Sequence, residues 1–579
     1  MCYNQPMRIN WKQEIFFIVL IWVLLATMYF LFPAIPDWDW LNYKAFNCFS
    51  FLTHRGFDID FFPGNMRTCI TPVVDILTFW TIFKLQNHPY LFAFLSLWDS
   101  ALVVFMIYKF ADYIFDKFDA NSPKTKAIAI CSSIFCFIFM PAMILQLSFE
   151  QNDIKIALIT LVGFYIFIKN IFKENTNHRK LMFLLCGIVF GVATGLKLTA
   201  YSAAVAIPII TLVLFKKIDK PINALLWYFA GAAITFSILD GYWIIKVYQK
   251  FLNPFFPFFN NVFKSPYTYP IKLLDIDCGY YLIPKNLYEF LFYPFVLRGY
   301  AYDNFATDYR SIIIYFVTII LAVTSFFNFK KDNFDITKTF RNTISYGNLF
   351  VMIMLFAIPC SINLAVSACA RFVIASTVLS GILVTIFVFS FFYSEKSKFK
   401  NIFVSITALE LMMFLLYFNI NYGEIPSMKT NLFEKIQSGE KFKIFETTDM
   451  NFDDNSVVLI TNCGVSATLV NQNPNVQFVM LFYPKSIFNK HYKEIEKIDR
   501  TIDTYTFFSE YAEKYCKDLI RGDKNIYLVS IDECYSDMVN EVLDFYNKDN
   551  GRKVTDCKEI DLRIFGEKLP RYKYCKFNR

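Results

Sequence analysis

The sequence is poor in charge and in histidine. Charged residues make up 18% of its 579 positions, and its four histidines are scattered singly, so a histidine-built metal site is not expected. The fourteen cysteines include no Cys-x-x-Cys pair and no Cys/His cluster with metal-ligand spacing, which excludes zinc ribbons and fingers. Several of them (Cys131, Cys136, Cys186) lie in apolar runs as small hydrophobes. Five fall near the C-terminus (Cys463, Cys516, Cys534, Cys557, Cys575), and that odd number leaves their pairing open. There is no internal repeat and no low-complexity tract, and no Gly-rich phosphate loop follows a strand-like run. The net charge of +8 is spread over short loops rather than gathered in a patch, so nucleic acid is excluded as a partner.

Apolar and aromatic residues are abundant, at 56% and 19% of the chain. The mean hydropathy is +0.38, whereas soluble domains are about 45–50% apolar. Apolar runs long enough to cross a bilayer recur at 13–34, 90–110, 127–147, 154–172, 181–196, 199–215, 222–243, 310–328, 344–364, 370–393 and 401–420, giving about eleven transmembrane helices. The first run has no small-residue cleavage site after it and reads as a retained span. With the N-terminus cytoplasmic, the inside segments hold 20 Lys and Arg against 8 Asp and Glu, which follows the positive-inside rule. This orientation requires Thr71–Leu85, which carries Asp75 and Lys84, to lie in the outer interface rather than span. The loop 35–89 then becomes a long outer segment with interfacial helices near 40–53 and 70–86.

From about 421 to 579 the pattern changes. Strand-like runs at 456–461, 476–482 and 525–531 alternate with helical stretches at 509–519 and 536–546. The expected architecture is an α-helical polytopic membrane domain, 1–420, followed by a soluble extracytoplasmic α/β domain, 421–579, with a partly parallel sheet.

Charged residues from distant parts of the chain fall on the outer face in this arrangement. Asp37 and Asp39 follow the first span. Glu150 and Asp153 flank a span end, where Asp153 reads equally well as a helix N-cap. Lys197 sits between two apolar runs, Arg371 opens another, and Asp308 and Arg310 precede the span at 310–328. The ordinary reading of the cations at that face is snorkelling to headgroups. The aromatic segment 253–267 reads as interfacial.

This layout resembles the GT-C superfamily of integral-membrane glycosyltransferases, and more closely bacterial proteins of the glycosyltransferase family 87 type. The stretches that carry the resemblance are Asp39-Trp-Leu-Asn-Tyr43, Phe57-Asp-Ile-Asp-Phe-Phe-Pro-Gly64, Thr71-Pro-Val-Val-Asp75, Gly195-Leu-Lys-Leu-Thr-Ala200, Asn253-Pro-Phe-Phe-Pro-Phe258 with Lys264-Ser-Pro-Tyr267, and Ala370-Arg-Phe372. Relatives tend to carry Asn-Pro where this chain has Thr71-Pro72. The resemblance implies transfer of a sugar from a polyprenyl-phosphate donor to a glycan, lipid or protein acceptor at the outer face of the inner membrane, with inversion. It implies that the acid after the first span acts as base: Asp39 first, Asp37 as the alternative. It also implies a second acid, Asp153 or more weakly Glu150, that positions the site or helps hold a divalent cation (Mg or Mn). Lys197, Arg371 and Arg310 would hold the donor phosphate. The rival expectation is a transporter or flippase of lipid-linked saccharides, which would usually show internal repeats.

Overall fold

The computed structural model describes residues 11–31, 39–115, 123–138, 152–171, 176–267, 283–296, 300–302, 306–307, 314–323, 346–367, 369–392, 435, 438–461, 466–482, 484, 486–487, 510–531, 536–547, 551, 553–569 and 572–578. The chain forms two compact units that cut across its order. One comprises Met1–Phe32, Ala93–Ile238 and Leu282–Pro426; the other comprises Pro33–Phe92, Leu239–Tyr281 and Ser427–Arg579.

The first unit is helical apart from a short antiparallel pair of strands, Tyr300–Tyr302 and Ala306–Thr307. Among the described residues, Pro89–Phe115, His178–Leu196, Pro221–Leu239 and Asn348–Val366 are long and apolar enough to cross a membrane. On Pro221–Leu239, Leu226, Phe229, Ile234 and Ile238 are exposed, and a helix that shows such side chains outward has hydrocarbon as its solvent. The chain is an integral membrane protein. Polar side chains within these helices bond to their own backbone, as Thr235 does to the Gly231 carbonyl at 2.9 Å and Thr194 to the Phe190 carbonyl at 2.7 Å. Such bonds satisfy a hydroxyl where no water is at hand. Small residues bring backbones together: a side-chain carbon added at Gly231 would lie 2.4 Å from the Leu184 carbonyl oxygen, so this crossing admits only glycine there.

The second unit is built on a five-stranded sheet in the order Gln477–Met480, Val457–Ile460, Ile526–Ile531, Tyr572–Asn578, Lys553–Glu559. The first three strands are parallel and the last two are added antiparallel. Val457–Ile460 is buried throughout, as a central parallel strand must be. The helices Glu510–Arg521 and Ser536–Asn547 contribute Cys516, Ile520, Val542 and Leu543 to its core. A three-stranded antiparallel sheet, Phe445–Glu446, Leu562–Ile564 and Glu567–Leu569, completes the strands of the C-terminal portion.

The early segment 39–92 packs into this same unit. Helical backbone runs from Asp39 to Leu52, with a π turn at Trp40–Lys44. The helix Val73–Lys84 has 12 residues and is therefore about 18 Å long, too short for a hydrocarbon core of about 30 Å. Between them, Phe61 joins the sheet edge. Its amide donates to the Phe478 carbonyl and its carbonyl accepts from Met480, both at 2.8 Å. Arg55 secures the join, donating to both Asp60 oxygens at 2.7 and 2.8 Å, to the Pro474 carbonyl at 2.7 Å and to the Val476 carbonyl. Asp60 also accepts from the Phe478 amide at 3.0 Å.

Both partners of this pair are buried, so losing one strands the other without water. Asp60→Ala is expected to destabilise the second unit by about 3–5 kcal/mol. The measurement is thermal unfolding of the detergent-solubilised full chain, together with proteolytic clipping between 427 and 579. An unchanged midpoint and an unchanged clipping rate would show that the pair does not anchor this segment.

Candidate functional site

Two charged centres emerge, one in each unit. In the first unit the anchor is Asp153, the first residue of the helix Asp153–Asn170. The N-cap position belongs to Asn152, whose side chain makes no capping bond and instead accepts from Lys155 Nζ at 3.1 Å. The Asp153 carboxylate is engaged elsewhere. Its Oδ1 accepts from Lys197 Nζ at 2.6 Å and its Oδ2 lies 3.8 Å from Arg371 Nε. The Asp153 side chain is 3% exposed, against 18% for Lys197 and 17% for Arg371. The acid is therefore the buried base of the cluster and the cations form its accessible side.

Breaks in the helices put these cations there. Lys197 is in extended conformation between the helix Thr176–Leu196 and the short 3₁₀ turn Leu198–Ala200. Arg371 lies in the 3₁₀ turn Ala370–Val373 that precedes the helix Ile374–Phe392. The approach to that turn is braced: Asn363 donates to the Cys369 carbonyl at 2.9 Å and accepts from the Ser367 hydroxyl at 2.7 Å. Phe372 lies close to both cations, its ring centroid 5.6 Å from Lys197 Nζ and 5.6 Å from the Arg371 guanidinium carbon. Contacts of this kind attract cations to an aromatic face.

A pocket opens on this centre, lined by Asp153, Thr160, Thr199, Ser202, Arg371 and Ser376 among others. The buried Ser202 hydroxyl has no hydrogen-bond partner among the described residues. Two cations against one carboxylate leave a net positive charge on the accessible side of the cluster, which suits a phosphate there; the pocket itself has room for only about one water. The cluster does not suit a divalent cation at Asp153, because both carboxylate oxygens face positive charges. No group of three or more His, Cys, Asp or Glu is placed to hold a metal among the described residues.

In the second unit, Asp39 opens the π turn Trp40–Lys44, in which the Ala45 amide donates to the Trp40 carbonyl. In an α-helix, residues five apart lie about 140° around the axis. The wider turn brings Lys44 Nζ to 3.9 Å from Asp39 Oδ2, with both side chains largely buried. Tyr43, between them in sequence, is packed against Gly64, where an added side-chain carbon would lie 2.8 Å from Tyr43 Cβ. Burial and then the Asp39 charge push the Tyr43 phenol well above its ordinary range, against Lys44 and Arg67. The charges of Asp39, Lys44, Arg67 and Asp75 all act on this phenol. π turns of this kind are frequent at functional sites.

The structure therefore brings Asp153, Lys197 and Arg371 into one cluster and sets Asp39 in another. Asp37, Glu150, Asp308 and Arg310 lie outside the described residues. Sequence reasoning gave no role to Lys44, Tyr43, Phe372 or Ser202. Lys44 was hidden because α-helical spacing puts it away from Asp39. Phe372 stands in the quoted Ala370-Arg-Phe372, but nothing in an aromatic-rich chain sets one ring apart.

A further acid, Asp240, sits in the second unit just beyond the span Pro221–Leu239. It is buried, and burial lifts its carboxyl to about 6. A raised folded-state value means that folding favours the protonated form, an advantage present at low pH and lost as pH rises through about 6. Asp240→Asn should therefore raise the thermal midpoint relative to wild type at pH 8, with the gap shrinking toward pH 5. A gap independent of pH would show that Asp240 is not the titrating group.

No protein-family model and no curated protein matches the chain. Among solved structures it is similar to the crystal structure of ArnT from Cupriavidus metallidurans bound to undecaprenyl phosphate, with a TM-score of 0.47 and 9% identity over 96% of this chain and 97% of that one. A likeness at this level transfers no residue role from that protein to this chain.

Proposed function

We propose that the protein is a glycosyltransferase of the GT-C kind, which moves a sugar from a polyprenyl-phosphate donor to an acceptor at the outer face of the membrane. The observation that carries this reading is the Asp153–Lys197–Arg371 centre with its two accessible cations, set at helix breaks in an integral membrane protein. Lys197 and Arg371 bind the donor phosphate and stabilise the charge that grows on it as the sugar leaves. Asp153 is the positioning residue that holds the ammonium and the guanidinium side by side.

Asp39 serves as base on the acceptor, with Asp37 as the alternative. The acceptor oxygen attacks the anomeric carbon and its proton passes to the carboxylate. The bond from the anomeric carbon to the phosphate oxygen breaks, and its electron pair leaves with the polyprenyl phosphate. A single displacement inverts the anomeric configuration. The disulfide Cys557–Cys575 supports an extracytoplasmic C-terminal portion, since such bonds persist in oxidising compartments.

The test is transfer of labelled sugar from synthetic polyprenyl-phosphate sugars by the reconstituted full chain. Asp39→Asn should lower kcat by about 10²–10⁴ while donor binding is retained. Lys197→Gln or Arg371→Gln should weaken donor binding by about 10–100-fold, the value of a charge-assisted hydrogen bond. Full activity in Asp39→Asn would remove Asp39 as base. Substrate translocation without any glycosidic product would overturn the transferase reading as a whole.

A further inference from the structure

The segment after the span Pro221–Leu239 has an unusual outer surface. The helix Gly241–Phe251 buries one face in the second unit: Val247 and Phe251 lie in its core, and Trp243 donates to the Cys69 carbonyl at 2.7 Å. A second apolar stripe, Tyr242, Ile245, Tyr248 and Leu252, points outward and is between 52% and 65% exposed. At about 100° per residue these four fall within roughly a 120° arc. Lys246 and Lys250 lie on the adjoining side of the helix.

The chain then makes two tight turns. Asn253 closes the first, donating to the Phe258 carbonyl at 2.8 Å and accepting from the Phe255 amide at 3.0 Å. Asn260 closes the second in the same way with Ser265, at 3.1 and 2.8 Å. Both asparagines are buried. Braced like this, the turns hold Val262 and Phe263 outward, at 64% and 37% exposure. Lys264 follows directly. From 241 to 267 the sequence has three lysines and no acid.

We propose that this segment, 241–264, is a docking surface for an anionic phospholipid layer. Three observations commit it to lipid rather than to a protein partner. It begins two residues after a helix long and apolar enough to span, so the chain is still at the membrane surface. Its exposed face combines tyrosine, phenylalanine and aliphatic residues, the composition that lies at the headgroup level. Its charge is entirely positive, complementary to anionic headgroups. Tyrosine and aliphatic side chains enter the headgroup–acyl boundary while the lysine ammoniums stay with the phosphates. Lys246 Nζ, 5.9 Å from the Tyr242 ring, is placed to do this at the helix start.

The test uses the full chain in nanodiscs, with an environment-sensitive fluorophore introduced at Tyr248 by stop-codon suppression. Lipids carry a nitroxide either near the headgroup or at mid-chain. Headgroup nitroxide should quench several-fold more strongly than mid-chain nitroxide, and aqueous iodide should quench weakly. Native mass spectrometry then compares retention of phosphatidylglycerol and phosphatidylcholine. The preference for phosphatidylglycerol should fall by roughly five-fold per residue in Lys246→Gln and Lys264→Gln, with the thermal midpoint unchanged because both side chains are exposed. Strong iodide quenching would mean a water-facing or protein-docking surface and overturn the proposal. Dominant mid-chain quenching would mean insertion into the hydrocarbon and also overturn it. Equal retention of the two lipids, unaffected by the lysine changes, would overturn the anionic component.

Discussion

The second unit depends on one buried ion pair. Arg55 and Asp60 are five residues apart in the early part of the chain, yet they hold the edge of a sheet whose strands come from beyond residue 450. The guanidinium meets two carboxylate oxygens and two carbonyls, and its face lies 4.8 Å from the Phe478 ring. With so many partners supplied, a charge can stay inside protein despite the cost of leaving water. The pair works together with the backbone bonds that place Phe61 on the edge at Val479 and with the Phe61 ring, whose centroid lies 4.4 Å from that of Tyr515 and 5.7 Å from that of Phe482.

The same constraint organises the other charges. In a chain this apolar, an ionised group is tolerated where a counter-charge and a break in helical structure coincide. Asp153 starts a helix, Lys197 stands between two, and Arg371 belongs to a 3₁₀ turn that opens a third. Asp39 and Lys44 approach each other because the turn between them is a π turn. At each of these places the backbone departs from regular α-helix or begins it, and the departure lets a charged side chain reach its counter-charge.

Much of the secondary structure was legible in local pattern. The strands Val457–Ile460, Gln477–Met480 and Ile526–Ile531 stand within a residue or two of the apolar runs that announced them, because buried parallel strands are continuously apolar. Lys553–Glu559 and Tyr572–Asn578 escaped notice. Lys553–Glu559 is mostly exposed, and alternating lysine, aspartate and tyrosine carry no apolar signature. Asp153, Lys197 and Arg371 could be picked out as charges isolated among apolar runs, but their mutual pairing could not, since it joins positions 44 and 218 residues apart.

By itself, the sequence determined that this is a polytopic helical membrane protein with a C-terminal α/β portion, because hydropathy and periodicity are properties of neighbouring residues. Only the tertiary structure decided that 33–92 and 239–281 belong with the C-terminal residues in one unit, that Lys44 faces Asp39, and that one carboxylate serves two cations. Each of these depends on contacts between segments far apart in the chain or on a local departure from regular helix. A sequence pattern carries neither, because it records spacing along the backbone and not the distances that folding creates.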